Sequence, residues 1–370
     1  FHLYAHNITL KMYKVKIVTI KGFKESKDAW NRLALAMNLP SIFCTWEWIY
    51  TWWEHFGRDY EPVILFVYKD AELVGILPLA YHKTLNGALI GRKLSYCGSM
   101  ELYPDHLDII CSKEDAEQCL DAVFEFLRSE YKEWDVLDVS LLSEGSNIIS
   151  YLKRKVFFLS ANLKQASAAP FIKISGSFDD YLNTFKSKKR YDLKKKQRRL
   201  YEQGFKYTAF DNISQDNDGL RMLFDLHKQR AKKKNILSTF QGEHIFEFHN
   251  TFSQRINKND WLWLRFIRNE EKIISAFYGF DFGGHLFYYQ LGIDPEWESY
   301  SPGTVLFYEF INEAFSKGLK EFDFLRGSEE YKNRWTHECR ALFTASIYNK
   351  TIIANLIKTA SKSKDWIKGS

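Results

Sequence analysis

The chain has 370 residues, of which 45% are hydrophobic and 17% aromatic, enough to fill the cores of two domains of ordinary size. It carries 52 Lys and Arg against 46 Asp and Glu, a formal net charge of +6. The segment 186–200 alone holds nine basic residues and one Asp, a charge of +8, so the rest of the chain sums to −2. A protein that coats nucleic acid with charge spread over its whole surface is therefore excluded. Positive charge concentrated beside a cleft would instead attract anionic ligands.

Cysteine usage and hydropathy indicate the cellular compartment of the protein. Five Cys residues, with no CxxC pair and no metal-ligand spacing, predict reduced thiols, a cytoplasmic location and no bound metal. No charge-free stretch approaches the roughly 18 residues of a membrane span, so no span is predicted. The first eleven residues lack the features of a signal peptide. Because the chain begins with Phe and Met12 follows, residues 1–11 are expected to be a cloning remnant or an upstream extension.

The first half of the sequence predicts alternating helices and strands. Apolar residues at helical spacing indicate the helices, and runs of β-branched and aromatic residues bounded by polar turns indicate the strands. In chain order these are helix 27–37, the hairpin strands 62–68 and 73–83, strand 107–111, helix 114–131 and strand 134–142.

The second half repeats this order. It predicts the hairpin strands 261–267 and 273–281, strand 285–294, helix 304–316 and strand 320–326, with Gly318 ending the helix. We therefore predict a mixed α/β fold made of two duplicated units. The small-residue segment 166–170 marks the boundary, so the predicted domains are 1–166 and 167–370. The same order of elements also arises by chance in unrelated α/β domains, and that alternative stays open here.

The basic segment lies in a predicted helix over 178–203. Ser177 and Asp180 have the spacing of a capping box, and Gly204 is placed to end the helix. At 100° per residue, Lys189 falls inside the apolar stripe of this helix, which a simple solvated face would not show. Two interpretations remain open. Long side-chain stems could cover apolar surface, or Lys189 and Arg190 could point into a cleft that binds phosphate groups.

The segment 298–335 contains the most informative motif. Ser301, Pro302 and Gly303 lead directly into a helix, whose first N–H groups and positive dipole end suit an anion, although an ordinary turn explains the same residues. Titratable residues then follow the predicted strand FDFLRG. Ligands of open α/β sheets usually bind beyond the carboxyl ends of strands, which makes this cluster a candidate site. Its members are Arg326, Glu329, Tyr331, Lys332, Arg334 and Trp335.

This motif resembles a known family. The basic helix followed by SPG, a helix and FDFLRG-x-E-x-YK-x-x-W over residues 180–335, together with WWEHFG at 52–57 and LVGILPL at 73–79, resembles the bacterial CelD-like or BioF-like acetyltransferases. That family belongs to the GNAT superfamily and is related to the FemABX peptidyl transferases. The resemblance implies two fused GNAT-like units, with acyl transfer from acetyl-CoA or another acyl-CoA to a primary amine in the second unit. It also suggests an amino sugar or another envelope precursor as the acceptor.

The resemblance implies roles for individual residues. Tyr331 is expected to be the general acid that protonates the departing thiolate, and Glu329 the base that takes the proton of the amine. The expected acyl-CoA contacts are Ser301, Gly303, Thr304, Lys189 and Arg190. The expected substrate contacts are Arg326, Lys332, Trp335, Tyr289 and Arg230.

The sequence departs from the family pattern at one point. The usual GNAT phosphate loop, with its two glycines, is absent, and Pro302 removes an N–H donor. FemABX relatives use aminoacyl-tRNA with a similarly altered loop, and the basic segment would suit an RNA backbone. An aminoacyl-tRNA-dependent transferase is therefore the first alternative. A non-catalytic module that binds RNA or an anionic surface is the second.

Overall fold

In the computed structural model of the chain, the described residues are 12–86, 89–102, 104–155, 159–209, 218–235, 240, 242–327 and 329–368. The expected N-terminal remnant, residues 1–11, lies outside them. The chain divides into two compact units: unit 1 comprises Phe1–Ala168 and Arg340–Ser370, and unit 2 comprises Ala169–Cys339.

The first part of unit 1 is built from strands and helices that alternate along the chain. In order they are β1 (Tyr13–Ile17), α1 (Ile20–Glu25), α2 (Lys27–Leu35), α3 (Trp46–Phe56), β2 (Glu61–Lys69), β3 (Glu72–Asn86), β4 (Leu89–Tyr96), β5 (Ile110–Cys111), α4 (Ala116–Ser129), β6 (Val136–Ser143) and α5 (Asn147–Lys155). The next strand, β7 (Ala161–Lys173), carries the chain from unit 1 into unit 2.

Unit 2 has the same alternation. Its elements are α6 (Phe178–Asn183), α7 (Ser187–Tyr201), β8 (Lys206–Ala209), α8 (Asp218–Lys234), α9 (Glu243–Asn257), β9 (Leu262–Arg268), β10 (Ile273–Phe282), β11 (His285–Ile293), α10 (Pro302–Ser316), β12 (Glu321–Asp323) and α11 (Glu330–Asn333). The chain then returns to unit 1 through β13 (Cys339–Tyr348) and α12 (Ile352–Lys368).

Each unit contains a mixed sheet with one parallel pair. The strand order is β1-β2-β3-β4-β6-β13 in unit 1, with β5 on β3, and β7-β12-β11-β10-β9-β8 in unit 2. The parallel neighbours are β4 with β6 and β11 with β12, and the other neighbours are antiparallel. The predicted mixed α/β class is confirmed, and hairpin, strand, helix and strand follow one another in both units.

One domain boundary and one predicted strand are corrected, and one strand was missed. The domain predicted over 167–370 does not extend to the end of the chain, because β13 pairs with β6 and residues 340–370 belong to unit 1. The strand predicted over 107–111 is reduced to the two residues of β5. The strand that follows the hairpin β2–β3 in unit 1 is instead β4, which the sequence analysis missed.

The single helix predicted over 178–203 is two helices. The capping box of Ser177 and Asp180 that begins α6 is confirmed. However, α6 ends after one and a half turns, where the Phe185 N–H donates to the Leu182 carbonyl at 2.9 Å. Lys186 is extended, with φ −58° and ψ 144°, and the chain starts a new helix there. The chain therefore forms two short helices, α6 and α7, instead of one continuous helix.

The two faces of the unit 2 sheet carry different helices. Phe277 on β10 stacks on Phe310 of α10 with ring centroids 4.0 Å apart. The next residue, Tyr278, points to the other face and its hydroxyl lies 3.3 Å from Nδ1 of His249 on α9. Successive side chains of a strand alternate between faces, so α10 and α9 cover opposite sides of the sheet.

None of the helices built from the described residues combines the length and hydrophobicity needed to cross a bilayer.

Candidate active site

The site is formed where β11 and β12 separate. Their parallel pairing ends at Phe287 and Asp323. Beyond β12 the chain turns sharply through two left-handed residues, Leu325 (φ 55°) and Gly327 (φ 112°). The Asp323 carboxylate supports this turn by accepting the Leu325 N–H at 2.7 Å. The candidate site, called the gap below, is the region between Tyr288, just beyond the paired part of β11, and the turn that leads into α11.

Two tyrosines meet in this gap. The Tyr331 hydroxyl donates to the Tyr288 hydroxyl at 3.3 Å, and both rings pack on Phe307 of α10. Burial raises the pKa of Tyr331 far above its ordinary range, and it raises the pKa of Tyr288 to about 12. Both phenols therefore keep their protons at neutral pH, so Tyr331 holds a proton at the candidate site.

Glu329 and Arg230 place opposite charges near the two phenols. The negative charge of Glu329 raises the pKa of both tyrosines, whereas the positive charge of Arg230 on α8 lowers both. The Glu329 side chain is 54% exposed, and its carboxylate stands where a Cβ at position 327 would lie. The left-handed backbone of residue 327, with φ 112°, is what favours Gly there, and Glu329 keeps a solvent-accessible oxygen that can accept a proton.

Lys332 is not placed to bind a substrate, which corrects the prediction for this residue. Its side chain is 3% exposed, and its ammonium donates to the carbonyls of Arg326, at 2.5 Å, and Leu325, at 3.3 Å. The same group forms an ion pair with Glu329 at 3.0 Å. Lys332 therefore stabilises the turn that leads to Tyr331. Arg326 lies in this turn and is half-buried.

Two further predicted substrate contacts are packed elsewhere. Tyr289 lies on the face of β11 opposite to Tyr288, against His249 at 4.9 Å and Phe240 at 6.0 Å between ring centroids. Trp335 is 4% exposed and lies beside Phe307, with ring centroids 6.0 Å apart. Neither side chain points into the gap with Tyr331, so Tyr289 and Trp335 are corrected from substrate contacts to packing residues.

The start of α10 offers few free N–H donors. Ser301 is left-handed, with φ 57°, and its carbonyl accepts the N–H groups of Thr304 at 3.0 Å and Val305 at 3.2 Å. Pro302 has no N–H. A Cβ on Gly303 would lie 2.6 Å from Cδ1 of Ile293, so packing of α10 on β11 explains this glycine. Ser301, Gly303 and Thr304, which were predicted to contact acyl-CoA, lie together, but they offer few N–H donors for its pyrophosphate.

Lys189 and Arg190 do not reach the start of α10, although they were predicted to contact acyl-CoA together with the residues there. Arg190 donates to the Phe185 carbonyl at 2.5 Å. Lys189 lines a separate cavity together with Phe315, in the last turn of α10. A helix rises 1.5 Å per residue, so Phe315 lies about 20 Å along the axis from Pro302. A basic side chain of α7 near the start of α10 is Arg199, 5.3 Å above the ring of Tyr300.

The structure thus brings together Tyr331, Glu329 and Arg230, and it adds Tyr288, which sequence reasoning missed. The position of Tyr288 was visible in the sequence as a tyrosine inside the third strand of the repeated unit. Its neighbour Tyr289 was chosen because the alternation of faces could not be assigned without the neighbouring helices.

Residues 187–333 match the family model described as "Acetyltransferase (GNAT) domain". No curated protein matches the sequence closely enough to count as a relative. Among solved structures, FemX is similar over 90% of this chain and 96% of its own, with a TM-score of 0.62 and 10% identity.

Two other solved structures are similar. The C-terminal domain of a putative lysylphosphatidylglycerol synthetase from Agrobacterium fabrum matches 92% of this chain and 96% of its own, with a TM-score of 0.56 and 11% identity. L-PGS from Bacillus licheniformis matches 84% of this chain and 96% of its own, with a TM-score of 0.52 and 11% identity. At these identities the similarities establish the fold alone.

The matched segment begins with the basic helix α7 and ends with α11, so it contains the two tyrosines, Glu329 and Arg230. Residues 187–333 of unit 2 therefore match a GNAT acetyltransferase domain, which supports the assignment of the chain as an acyltransferase.

Proposed function

We propose that unit 2 transfers an acyl group from an acyl-CoA thioester, such as acetyl-CoA, to a primary amine. The observation that carries this proposal is the hydrogen-bonded pair of Tyr331 and Tyr288 in the gap between β11 and β12. A protonated phenol in a buried gap suits a reaction in which a thiolate must be protonated as it departs. The motif FDFLRG-x-E-x-YK, which places Tyr331 there, also supports membership of the CelD-like or BioF-like subfamily.

The proposed reaction is a direct attack of the amine nitrogen on the thioester carbonyl. The N–C bond forms, the C–S bond breaks and the thiolate leaves. Tyr331 donates its proton to the sulfur, and Glu329 accepts the proton of the amine, directly or through water. Arg230 offsets the negative charge of Glu329 near the two phenols. Tyr288 accepts the hydrogen bond of Tyr331 and fixes the direction of its hydroxyl.

The proposed acceptor is an amino sugar or another precursor of the cell envelope, on the resemblance of the motifs alone. The charge of Arg230 beside the gap suits an acceptor that carries an anionic or strongly polar group next to its amine.

A second candidate donor is aminoacyl-tRNA. It is favoured by the start of α10, where Thr304 and Val305 already use their N–H groups and Pro302 has none. It is also favoured by the exposed side chains of α7, which would suit an RNA backbone. These are Lys188, Lys194, Lys195, Arg198 and Arg199. The non-catalytic binding module is not retained, because the matched domain is that of an acyltransferase.

The experiment is a thiol-release assay with acetyl-CoA and a panel of primary amines that includes glucosamine. Tyr331→Phe should lower kcat by about 100-fold or more, the usual contribution of a general acid, and leave the Kd for the donor unchanged. The matched control is Tyr308→Phe, since Tyr308 lies on α10 and packs on Phe178. Unchanged turnover in Tyr331→Phe would remove this residue from the mechanism.

Binding of acetyl-CoA and of aminoacyl-tRNA, each measured at two salt concentrations, distinguishes the two candidate donors. Acetyl-CoA that binds with little dependence on salt supports the thioester donor. An aminoacyl-tRNA that binds with a steep dependence on salt, together with no binding of acetyl-CoA, would overturn the proposed donor in favour of the second candidate.

A further inference from the structure

Unit 2 contains a cavity of about 550 Å³ that the proposed reaction does not use. It lies between the junction of α6 and α7, the end of β7 and the segment that follows α11. This volume is within the range of pockets that bind small molecules. The cavity is lined by Ile172, Lys173, Ser175, Asp180, Tyr181, Thr184, Phe185, Lys189, Phe315, Asn333, Arg334, Trp335, Thr336, His337 and Glu338.

The ammonium of Lys189 occupies an unusual position in this cavity. It stands 3.2 Å above the centre of the Phe185 ring, 5.9 Å from the centre of the Trp335 ring, and donates to the carbonyl of Arg334. Within the described part of the chain, no carboxylate lies within ion-pair distance of it. Burial and the nearby Arg334 guanidinium lower the pKa of Lys189 to about 8. A half-buried cation beside a second cation is unfavourable, and an anion placed between them would relieve this repulsion.

The carboxylates that line the cavity do not neutralise its cations. Asp180 accepts hydrogen bonds from the N–H and the hydroxyl of Ser177 in the capping box. Arg334 forms its ion pair with Glu330 on the exposed side of α11, at 3.1 Å. The lining holds the basic residues Lys173, Lys189 and Arg334 and the carboxylates Asp180 and Glu338. Because Arg334 is paired with Glu330, Lys189 is the cation that an anionic ligand would neutralise.

The walls of the cavity are aromatic on one side. Tyr181 stacks on Phe315, with ring centroids 5.2 Å apart and an interplanar angle of 27°. The Tyr181 hydroxyl donates to the Trp335 carbonyl at 2.7 Å, which fixes the two residues relative to each other. A planar ring of a ligand could lie against these side chains while its anionic group meets the ammonium.

We propose that this cavity is a binding site for a small anionic molecule, a phosphate monoester or carboxylate attached to a planar ring, whose anionic group is bound by Lys189 and Arg334. The site is separate from the gap that holds Tyr331. The two are linked through α11, since Tyr331 lies on this single-turn helix and Asn333, at its end, lines the cavity. The occupant is either an anionic portion of a substrate or a separate small molecule.

The test is calorimetry with adenosine monophosphate, and with adenosine as the probe that lacks only the phosphate. Adenosine monophosphate should bind and adenosine should bind at least about tenfold more weakly, because hydrogen bonds to charged groups contribute more than neutral ones. Lys189→Met should weaken the binding of adenosine monophosphate by about tenfold or more. The matched control is Lys188→Met. Lys188 is exposed on the same helix and does not line the cavity, so screening by salt limits its effect to about twofold.

Arg334→Gln provides a second variant at an exposed position, where folding is not at risk. It should weaken the binding of adenosine monophosphate as well. Equal binding of the two probes, or equal effects of Lys188→Met and Lys189→Met, would overturn the proposal. Binding is measured without acyl donor or amine, so the result tests the anion site independently of the proposed acyl transfer.

Competition decides the source of the anion. If acetyl-CoA displaces adenosine monophosphate from the parent chain, and Lys189→Met weakens the binding of both, the cavity binds part of the donor. Simultaneous binding of both molecules assigns it to a separate ligand. Either result supports an anion site at Lys189.

Discussion

In unit 1 the parallel pairing of β4 with β6 ends at Ser95 and Asp138, and in unit 2 that of β11 with β12 ends at Phe287 and Asp323. Both registers contain three residue pairs. A tyrosine follows directly in each unit, Tyr96 after β4's last pair and Tyr288 after β11's. The two units therefore present the same residue type at the same point of the same topology.

The space beyond these pairs is used differently. In unit 1 the Tyr96 hydroxyl donates to the Asp108 carbonyl at 3.0 Å, and the His106 N–H donates to the carbonyl of Leu141 on β6 at 2.9 Å. The segment around residues 106–108 is thus bonded to both diverging strands. In unit 2 the Tyr288 hydroxyl faces the hydroxyl of another tyrosine, Tyr331.

The comparison indicates why the candidate site belongs to unit 2. The parallel pairing ends early in both units, but in unit 1 the segment around residues 106–108 lies beyond it and is hydrogen-bonded to both strands. The Asp108 carboxylate also accepts the N–H groups of Asn147 and Ile148 at the start of α5, so the inserted segment is fixed at a second point. We infer that the segment around residues 106–108 has a structural role in unit 1, whereas the proposed acyl donor would bind at the corresponding position of unit 2.

The largest expected effect comes from replacing Tyr331 in unit 2 and Tyr96 in unit 1 by phenylalanine. Tyr331→Phe should lower kcat by about 100-fold or more. Tyr96→Phe should leave kcat unchanged but lower the free energy of unfolding of unit 1 by about 1–3 kcal/mol, because the buried Asp108 carbonyl loses its donor. Steady-state kinetics and urea unfolding measure the two effects. A loss of turnover in Tyr96→Phe without a loss of stability would contradict the assignment of the two gaps.

The next effect is the change in the stability of each unit as the pH falls from 7 to 5. The two units should change in opposite directions. Burial lowers the pKa of His249 in unit 2 from 6.5 to about 3. Below pH 6.5 the unfolded state then binds more protons than the folded one, so the free energy of unfolding falls by about 2 kcal/mol from pH 7 to pH 5. Burial raises the pKa of Asp108 in unit 1 from 3.8 to about 7. Here the folded state binds the proton first, and stability rises by about 2 kcal/mol over the same interval.

Hydrogen exchange of peptides from β10 and β6 measures the two units separately. His249→Gln should remove the acid-induced loss in β10, and Asp108→Asn should remove the gain in β6. If protection in both peptides changed in the same direction in the parent chain, and neither substitution altered it, the burial of these two groups would not control the response.

The smallest expected effect concerns two glycines at contacts between helices and strands. A Cβ at Gly75 in unit 1 would lie 2.7 Å from Sγ of Cys119, and one at Gly303 in unit 2 would lie 2.6 Å from Cδ1 of Ile293. Overpacking of this kind costs about 1 kcal/mol or more. Gly75→Ala and Gly303→Ala should therefore lower thermal stability to a similar extent, as measured by calorimetry. A large rise of the donor's Kd in Gly303→Ala alone would instead restore this residue as a donor contact.

Much of the fold could be predicted because it depends on local patterns. The hairpins, the helix 304–316 and the capping box at Ser177 follow from apolar spacing and turn residues. β4 was missed because its sequence, LIGRKLSY, mixes charged and apolar residues without clean alternation. The break at Lys186 was missed because no Gly or Pro marks it. It is visible only in the backbone of the folded chain.

The site was predicted in part for the same reason. Tyr331 and Glu329 follow a recognisable strand and stay together in the structure. Lys332 was misassigned because its sequence neighbours suggest a polar cluster, whereas the left-handed turn at Leu325 and Gly327 directs backbone carbonyls onto its ammonium. Lys189 was placed at the wrong end of α10, because the helix break that redirects α7 could not be seen in the sequence.

The most direct measurement is a crystal structure of the chain with a non-reactive thioether analogue of acetyl-CoA. The acyl end should lie in the gap between Tyr288 and the turn that leads into α11, within hydrogen-bond distance of the Tyr331 hydroxyl, with the space beside Tyr96 occupied by residues 106–108. An acyl end bound beside Tyr96, or in unit 2 but out of reach of Tyr331, would contradict the assignment of acyl transfer to this pair of tyrosines.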